Sequence, residues 1–187
     1  MMTVKATATP TSPRTEMAEG ATVFIGLGAN LGDAGATLRD ALAALRPLAA
    51  PGSFQASSLY ASAPVDSSGP DYVNAVARLR TPLAPHALLD ALQAIEQRFG
   101  RERPYRNAPR TLDLDVLLYG VEGDAGGVSL HDDRLTLPHP RAALRCFVLE
   151  PLAELWPTGG IPGAGPVADL LAAARHDPAQ RVHPLGA

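Results

Sequence analysis

Predicted strands and helices follow one another along this chain in the order strand, helix, strand, strand, helix, strand, and this order restricts the fold more than any other feature. Thr22–Gly28 (TVFIGLG) is a short apolar run bounded by glycine, which predicts a strand. Asp33 is placed to cap a helix through about Leu48, with Leu38, Leu42 and Leu45 on one face. Ser53–Ser62 reads as a second strand and Asp71–Thr81 as a third. In the third, Val73, Ala75, Ala77 and Leu79 face one way, and Tyr72, Asn74, Arg78 and Arg80 the other. A second helix opens on Pro85, carries Leu88, Leu92, Ile95 and Phe99 on one stripe, and stops at Gly100. Leu112–Tyr119 alternates again and predicts a fourth strand.

This is the order of a split βαβ unit. The expected class is α+β, a ferredoxin-like βαββαβ antiparallel sheet with both helices on one face and extra helical elements C-terminal to it. A doubly wound nucleotide fold would alternate strand and helix throughout. The 187 residues suit one domain, expected over 21–175, after a Thr/Pro-rich extension (1–20) expected to be disordered and before a C-terminal tail (176–187). Seven of the ten residues in Pro157–Pro166 are Pro or Gly, which predicts a long surface loop. Gly26–Asp33 (GLGANLGD) nearly matches a dinucleotide fingerprint, but its third glycine comes one place late; it reads as a tight strand-to-helix turn.

Composition excludes several chemistries. Of 16 basic residues only Lys5 is a lysine, so neither a Walker A loop nor a Schiff base is available. The net charge of −3 argues against a general nucleic-acid surface. The single Cys146 excludes an intramolecular disulfide and a multi-cysteine zinc site, and reads as a small buried hydrophobe. No run is long and apolar enough for a membrane span, and the N-terminus lacks the apolar stretch of a secretory signal. A cytoplasmic protein is expected.

The strongest local signal is Gly100–Asp115 (GRERPYRNAPRTLDLD). Arg98–Arg110 holds five arginines and one glutamate, a local charge of +4 in an acidic chain. Directly after it, Asp113 and Asp115 sit two apart in a strand and project from one face, roughly 6–7 Å apart. Alone, such a pair is also what the solvated face of an amphipathic strand looks like. Beside the arginine run it suits Mg²⁺, which prefers hard oxygen ligands, and arginine forks then neutralise the remaining phosphate oxygens of a polyphosphate. Leu135–Phe147 adds His139, Arg141 and Arg145, with His139 held between Pro138 and Pro140 in an expected exposed, extended segment. Tyr72 and Asn74 share a strand face, a flat aromatic beside an amide that both donates and accepts, which suits a planar heterocycle.

Together these segments resemble the 6-hydroxymethyl-7,8-dihydropterin pyrophosphokinase family over about Val23–Leu155. The most specific match is PRTLDLDVLLYG (Pro109–Gly120). FIGLGANLGD, SSLYASAPV, PDYVNAV and LTLPHPR follow the family's order and spacing. The resemblance implies transfer of pyrophosphate from ATP to the pterin hydroxymethyl oxygen, with attack at the β-phosphorus and release of AMP. It implies two Mg²⁺ ions on Asp113 and Asp115, with ATP as co-substrate, and Arg101 and Arg110 as arginines clamping the triphosphate. His139 and Arg145 match further phosphate contacts, and Gln93 and Glu96 a helix beside the nucleotide. Val116, Leu135 and Thr136 match an adenine pocket. Tyr72 and Phe147 match an aromatic pair around the pterin, whose edge is read by Asn74 and backbone near Ser62 and Val65. Asn107-Ala108-Pro109, Pro140 and Ser62-Ala63-Pro64 depart from residues found in some members, and none removes a charge the chemistry needs.

Two rival readings stand beside this one: a nucleotidyltransferase using the same carboxylates but releasing pyrophosphate, and a non-enzymatic ferredoxin-like RNA-binding module. The second should show two or three aromatics in a strand run, and none appears. The expected partners are ATP and the pterin, without nucleic acid or membrane, for a chain acting as a monomer.

Overall fold

Strand β1 (Ala21–Ala29) runs through the middle of the sheet because its side chains are apolar on both faces. Val23, Ile25, Leu27 and Ala29 enter one core and Phe24 the other. The computed structural model describes residues 20–64, 69–100, 111–121 and 126–186. Around β1 the strands are β2 (Gln55–Ala56), β3 (Tyr60–Ser62), β4 (Tyr72–Thr81), β5 (Asp113–Tyr119) and, near the C-terminus, β10 (Val182–Pro184). They pair antiparallel in the order β10-β3-β4-β1-β5, with β2 also on β4. Among the four expected strands this is the order 2-3-1-4, the ferredoxin-like arrangement.

Helix α1 (Ala34–Leu45) starts where expected: Asp33 Oδ1 accepts the Ala36 N–H at 2.8 Å. It ends at Leu45, and a 3₁₀ turn containing Pro47 carries the chain to Leu48. Helix α2 (Pro85–Arg98) buries Leu88, Leu92 and Ile95. Both helices cover one face of the sheet. The other face is partly covered by α3 (Cys146–Leu155) and α4 (Val167–Ala174), around a core of Phe24, Val76, Leu117, Cys146, Leu149 and Trp156. Phe24 and Trp156 stack there with centroids 5.1 Å apart. The hairpin β6 (Leu130–His131) with β7 (Thr136–Leu137) lies beyond β5.

Four segments differ from expectation. Ser53–Ser62 is not one strand: the register against β4 shifts by one residue between β2 and β3, and Ser57 is turned inward so that its Oγ accepts the Val76 N–H at 3.0 Å. Gly26 and Gly28 lie inside β1, so only Asn30–Asp33 forms the turn before α1. Pro157–Pro166 is no loose loop. It forms the hairpin β8 (Gly160–Ile161) with β9 (Gly165–Pro166), and buries Gly159 and Ile161 against Trp156. The expected tail (176–187) supplies β10, whose Val182 and Pro184 pair with Ser62 and Tyr60 of β3.

Candidate active site

Antiparallel register lines up residues that are far apart in sequence. Asn74 of β4, Gly28 of β1 and Asp113 of β5 form one row across the sheet, and Val76, Gly26 and Asp115 form a parallel one. Leu112, Leu114 and Val116 are buried in the core on the α1/α2 side, so Asp113 and Asp115 project from the opposite face, half-buried. The glycine between Asn74 and Asp113 contributes no side chain. Among the described residues a Cβ at Gly28 would meet Asn74 Oδ1 alone, at 3.5 Å, which leaves space over the strand. The sequence assigns these glycines both to the Thr22–Gly28 strand and to the Gly26–Asp33 turn, and the structure puts them in the strand. Their i, i+2 spacing inside an otherwise apolar strand run was the available signal.

One end of this row is preorganised. Ser62 and Asn74 are each 4% exposed, and Asn74 Nδ2 donates to Ser62 Oγ at 2.9 Å. That bond directs Oδ1 toward the gap over Gly28, where it has no donor among the described residues. A buried acceptor of this kind is completed by a ligand N–H. Tyr72 faces Ser62 in register and is half-buried, with its side chain on the same side of the sheet as Asn74. Phe147 approaches from the other layer, in the first turn of α3, with the Arg145 guanidinium 5.2 Å from its ring centroid.

His139 is not in an exposed segment. It is half-buried, and its backbone N–H donates to Leu117 O at 2.9 Å along the free edge of β5. Its Nδ1 accepts the Arg141 N–H at 3.2 Å, which places the ring proton of the neutral imidazole on Nε2. Burial, then the charges of Arg145 and Arg141, hold its pKa down at about 4, against an opposing pull from Asp113. At neutral pH this side chain is therefore an uncharged donor within the electrostatic reach of Arg145 and Arg141.

The remaining expected contacts lie on α2, on β5 and at β7. Gln93 is exposed on α2, whereas Glu96 on the same helix is 1% exposed and its Oε1 accepts the Leu114 N–H at 2.7 Å. The Glu96 carboxylate thus grips the backbone between the two aspartates, a role the sequence did not suggest. Val116 and Leu135 are core residues, and half-buried Thr136 bonds the His131 ring through Oγ1 at 3.1 Å. Arg101, Arg110 and Val65 lie outside the described residues.

The carboxylate pair fits magnesium by its chemistry. Among the described residues no three His, Cys, Asp or Glu side chains gather to form a complete protein cage. Magnesium is typically held by one or two carboxylates plus substrate phosphates, and these two half-buried aspartates provide such a partial set.

Residues 24–157 match the family described as 7,8-dihydro-6-hydroxymethylpterin-pyrophosphokinase (HPPK). The chain is 42% identical over 161 residues to the 2-amino-4-hydroxy-6-hydroxymethyldihydropteridine pyrophosphokinase of Pseudomonas aeruginosa, covering 86% of this chain and 96% of that one. It is 43% identical over 141 residues to the enzyme of the same name from Synechocystis, covering 75% and 69%. Among solved structures, Plasmodium falciparum HPPK-DHPS A437G with STZ-DHP superposes with a TM-score of 0.63 at 13% identity, over 85% of this chain and 46% of that one. That likeness concerns the fold, and this chain spans less than half of the solved protein.

Proposed function

This chain belongs to the 7,8-dihydro-6-hydroxymethylpterin-pyrophosphokinase family, and from that premise we propose a role for each residue of the site. The chain is an ATP-dependent pyrophosphokinase, a transferase that moves the pyrophosphoryl group of ATP to the hydroxymethyl group of 6-hydroxymethyl-7,8-dihydropterin in folate biosynthesis. The observation that carries the site reading is the row Asn74–Gly28–Asp113, which sets a buried, directed amide and a carboxylate on either side of the space over Gly28.

In this reading the pterin lies over Gly28. Asn74 Oδ1 accepts from its edge, backbone near Ser62 and Val65 completes the edge contacts, and Tyr72 and Phe147 hold its faces. Stacking fixes the plane of the ring and the amide fixes its rotation, so the hydroxymethyl oxygen is presented toward Asp113. The triphosphate lies along the aspartates, with Arg101, Arg110 and Arg145 on its oxygens. His139 donates from Nε2 without adding charge. Gln93, Glu96, Val116, Leu135 and Thr136 border the nucleotide, Glu96 by holding Leu114 in place. Asp113 and Asp115 would hold two Mg²⁺ ions, which neutralise phosphate charge and lower the pKa of the attacking hydroxyl. As the hydroxyl oxygen bonds the β-phosphorus its proton passes to solvent, and the bond from the β-phosphorus to the oxygen bridging it to the α-phosphorus breaks, so that AMP departs carrying that oxygen.

Residues 21–175, with the strand contributed by 182–184, form the catalytic domain of a cytoplasmic monomer that engages neither nucleic acid nor membrane. No helix among the described residues is long and apolar enough to cross a membrane. The test is incubation with ATP, Mg²⁺ and the pterin, and identification of the released nucleotide. AMP is expected; pyrophosphate release would favour the nucleotidyltransferase reading, and ADP would overturn both. Asp113→Ala and Asp115→Ala are each expected to lower kcat at least about a hundredfold with the fold retained. Either variant keeping most of the activity removes the metal assignment.

A further inference from the structure

The first helical residue of α3, Cys146, is 1% exposed, and Arg145 before it offers no side-chain cap. Its backbone N–H would be a buried donor without a helical partner. It is satisfied from 34 positions further along the chain: Gln180 Oε1 accepts it at 3.0 Å. Gln180 is held in turn by a short 3₁₀ turn (Pro178–Gln180) that Asp177 caps, with Asp177 Oδ1 accepting the Ala179 N–H at 2.9 Å. On one side of this turn the Arg175 fork binds both carboxylate oxygens of Glu150 on α3, at 2.7 and 2.8 Å. On the other, β10 pairs with β3 and the Leu185 N–H donates to Leu59 O at 2.8 Å. Residues 175–185 therefore clasp α3 to the sheet edge that carries Ser62.

The two parts joined by this clasp are the two sides of the proposed pterin cleft. Phe147 and Arg145 stand at the start of α3, and Ser62 is paired with Val182 of β10. A cavity of about 360 Å³ lined by Cys146, Glu150, Arg175 and Gln180 lies against the same helix turn. Cys146 itself is packed in the core, and its backbone N–H donates to Gln180 Oε1 across the rim of this cavity. We propose that Gln180 is a positioning residue of the pyrophosphokinase: by accepting the Cys146 N–H it sets the first turn of α3 and so the places of Phe147 and Arg145 relative to the sheet. This rests on the reading of Phe147 as a pterin contact.

Three variants test it: Gln180→Met, which keeps the length and removes the acceptor; Gln180→Glu, which keeps an acceptor oxygen; and Phe147→Ala as the reference. Pterin affinity is measured with a non-hydrolysable ATP analogue present. Alongside it are measured kcat and KM for AMP release, and amide exchange of the peptide beginning at Cys146. Gln180→Met is expected to weaken pterin binding and raise its KM by about five- to twentyfold, with kcat within about threefold and faster exchange in the first turn of α3. Gln180→Glu keeps the acceptor but sets a carboxylate beside Asp177, whose Oδ2 accepts from Gln180 Nε2 at 3.4 Å, and is expected to lose less than half as much as Gln180→Met in every measure. Met retaining parental affinity and exchange, or Glu failing as badly as Met, overturns the proposal. If Phe147→Ala weakens binding and Gln180→Met does not, only the positioning role falls. If Phe147→Ala leaves binding intact, the site reading falls and takes the proposal with it. Should Gln180→Met not fold, Gln180→Asn, whose shorter side chain withdraws the oxygen, is judged by the same criteria.

Discussion

Gly28 is defined by what it lacks. In the middle of a strand a glycine contributes no side-chain packing and ordinarily weakens the sheet. Here its missing Cβ leaves space beside Asn74 Oδ1, and its backbone needs no left-handed conformation. Gly28→Ala places a methyl group at ordinary van der Waals distance, 3.5 Å from Asn74 Oδ1. Stability should therefore change by no more than about 0.5 kcal/mol, while KM for the pterin rises about tenfold or more, because the methyl group occupies the ligand's place. Equal losses in urea midpoint and activity would mean that the space is only structural. His139 illustrates the opposite case, a side chain whose surroundings decide its state. Its pKa of about 4 lies below the ordinary 6.5, so between these values the unfolded chain binds more protons than the folded one. The stabilisation from its neutral form is complete above pH 6.5 and is lost as pH falls through 4, up to about 3 kcal/mol in all. Arg145, Arg141 and Asp113 are the charges acting on it. His139→Gln should flatten the stability profile across that window; urea midpoints from pH 4 to 7 that fall as steeply as in the parent would refute this origin.

Elements were legible in the sequence where one periodicity ran long enough to show a face. α1, β4, α2 and β5 were, because each shows a regular stripe, β1 was as a continuous apolar run buried on both faces, and the aspartate pair was legible because a strand's alternation already dictates that both carboxylates share a side. The short pieces were not. β2, β3, β8 and β9 have two or three residues each, too few for any period, and their boundaries depend on single side chains such as Ser57 that report to distant strands. Pro157–Pro166 has the composition of a loop. Its glycines permit close packing as well as looseness, and only the tertiary structure distinguishes the two. A Cβ at Gly159 would lie 1.9 Å from Trp156 Cδ2, so the backbone presses directly on the indole that stacks with Phe24. Gly159→Ala must push the β8–β9 hairpin off that ring and should lower stability by about 1–3 kcal/mol. Trp156 is the single tryptophan of the chain, so its fluorescence during urea unfolding is a direct readout. An unchanged midpoint would show that the hairpin moves freely.

The whole molecule is built in two stages of differing legibility. The four-strand, two-helix unit follows from local patterns, since each element declares its buried face and short connections allow few arrangements. The C-terminal third depends on long-range pairings: Glu154 on α3 bonds Ser58 and Tyr60, Gln180 bonds Cys146, and β10 bonds β3. Acceptors matched across 34 to 96 residues leave no periodic trace in the sequence, which is why the last residues read as a tail. Deletion of 181–187 separates the two stages. It leaves Gln180 in place but removes β10, the Leu185–Leu59 bond and the cover over the β3 edge. With net contributions of about 0.5–1.5 kcal/mol for each hydrogen bond lost, the shortened chain should be less stable by about 2–4 kcal/mol. The uncovered edge of β3 should also make it more prone to associate. Urea titration followed by Trp156 fluorescence, with light scattering at rising concentration, measures both effects. A shortened chain as stable and as monodisperse as the parent would show that β10 only rests against the sheet, and that the fold is complete without it.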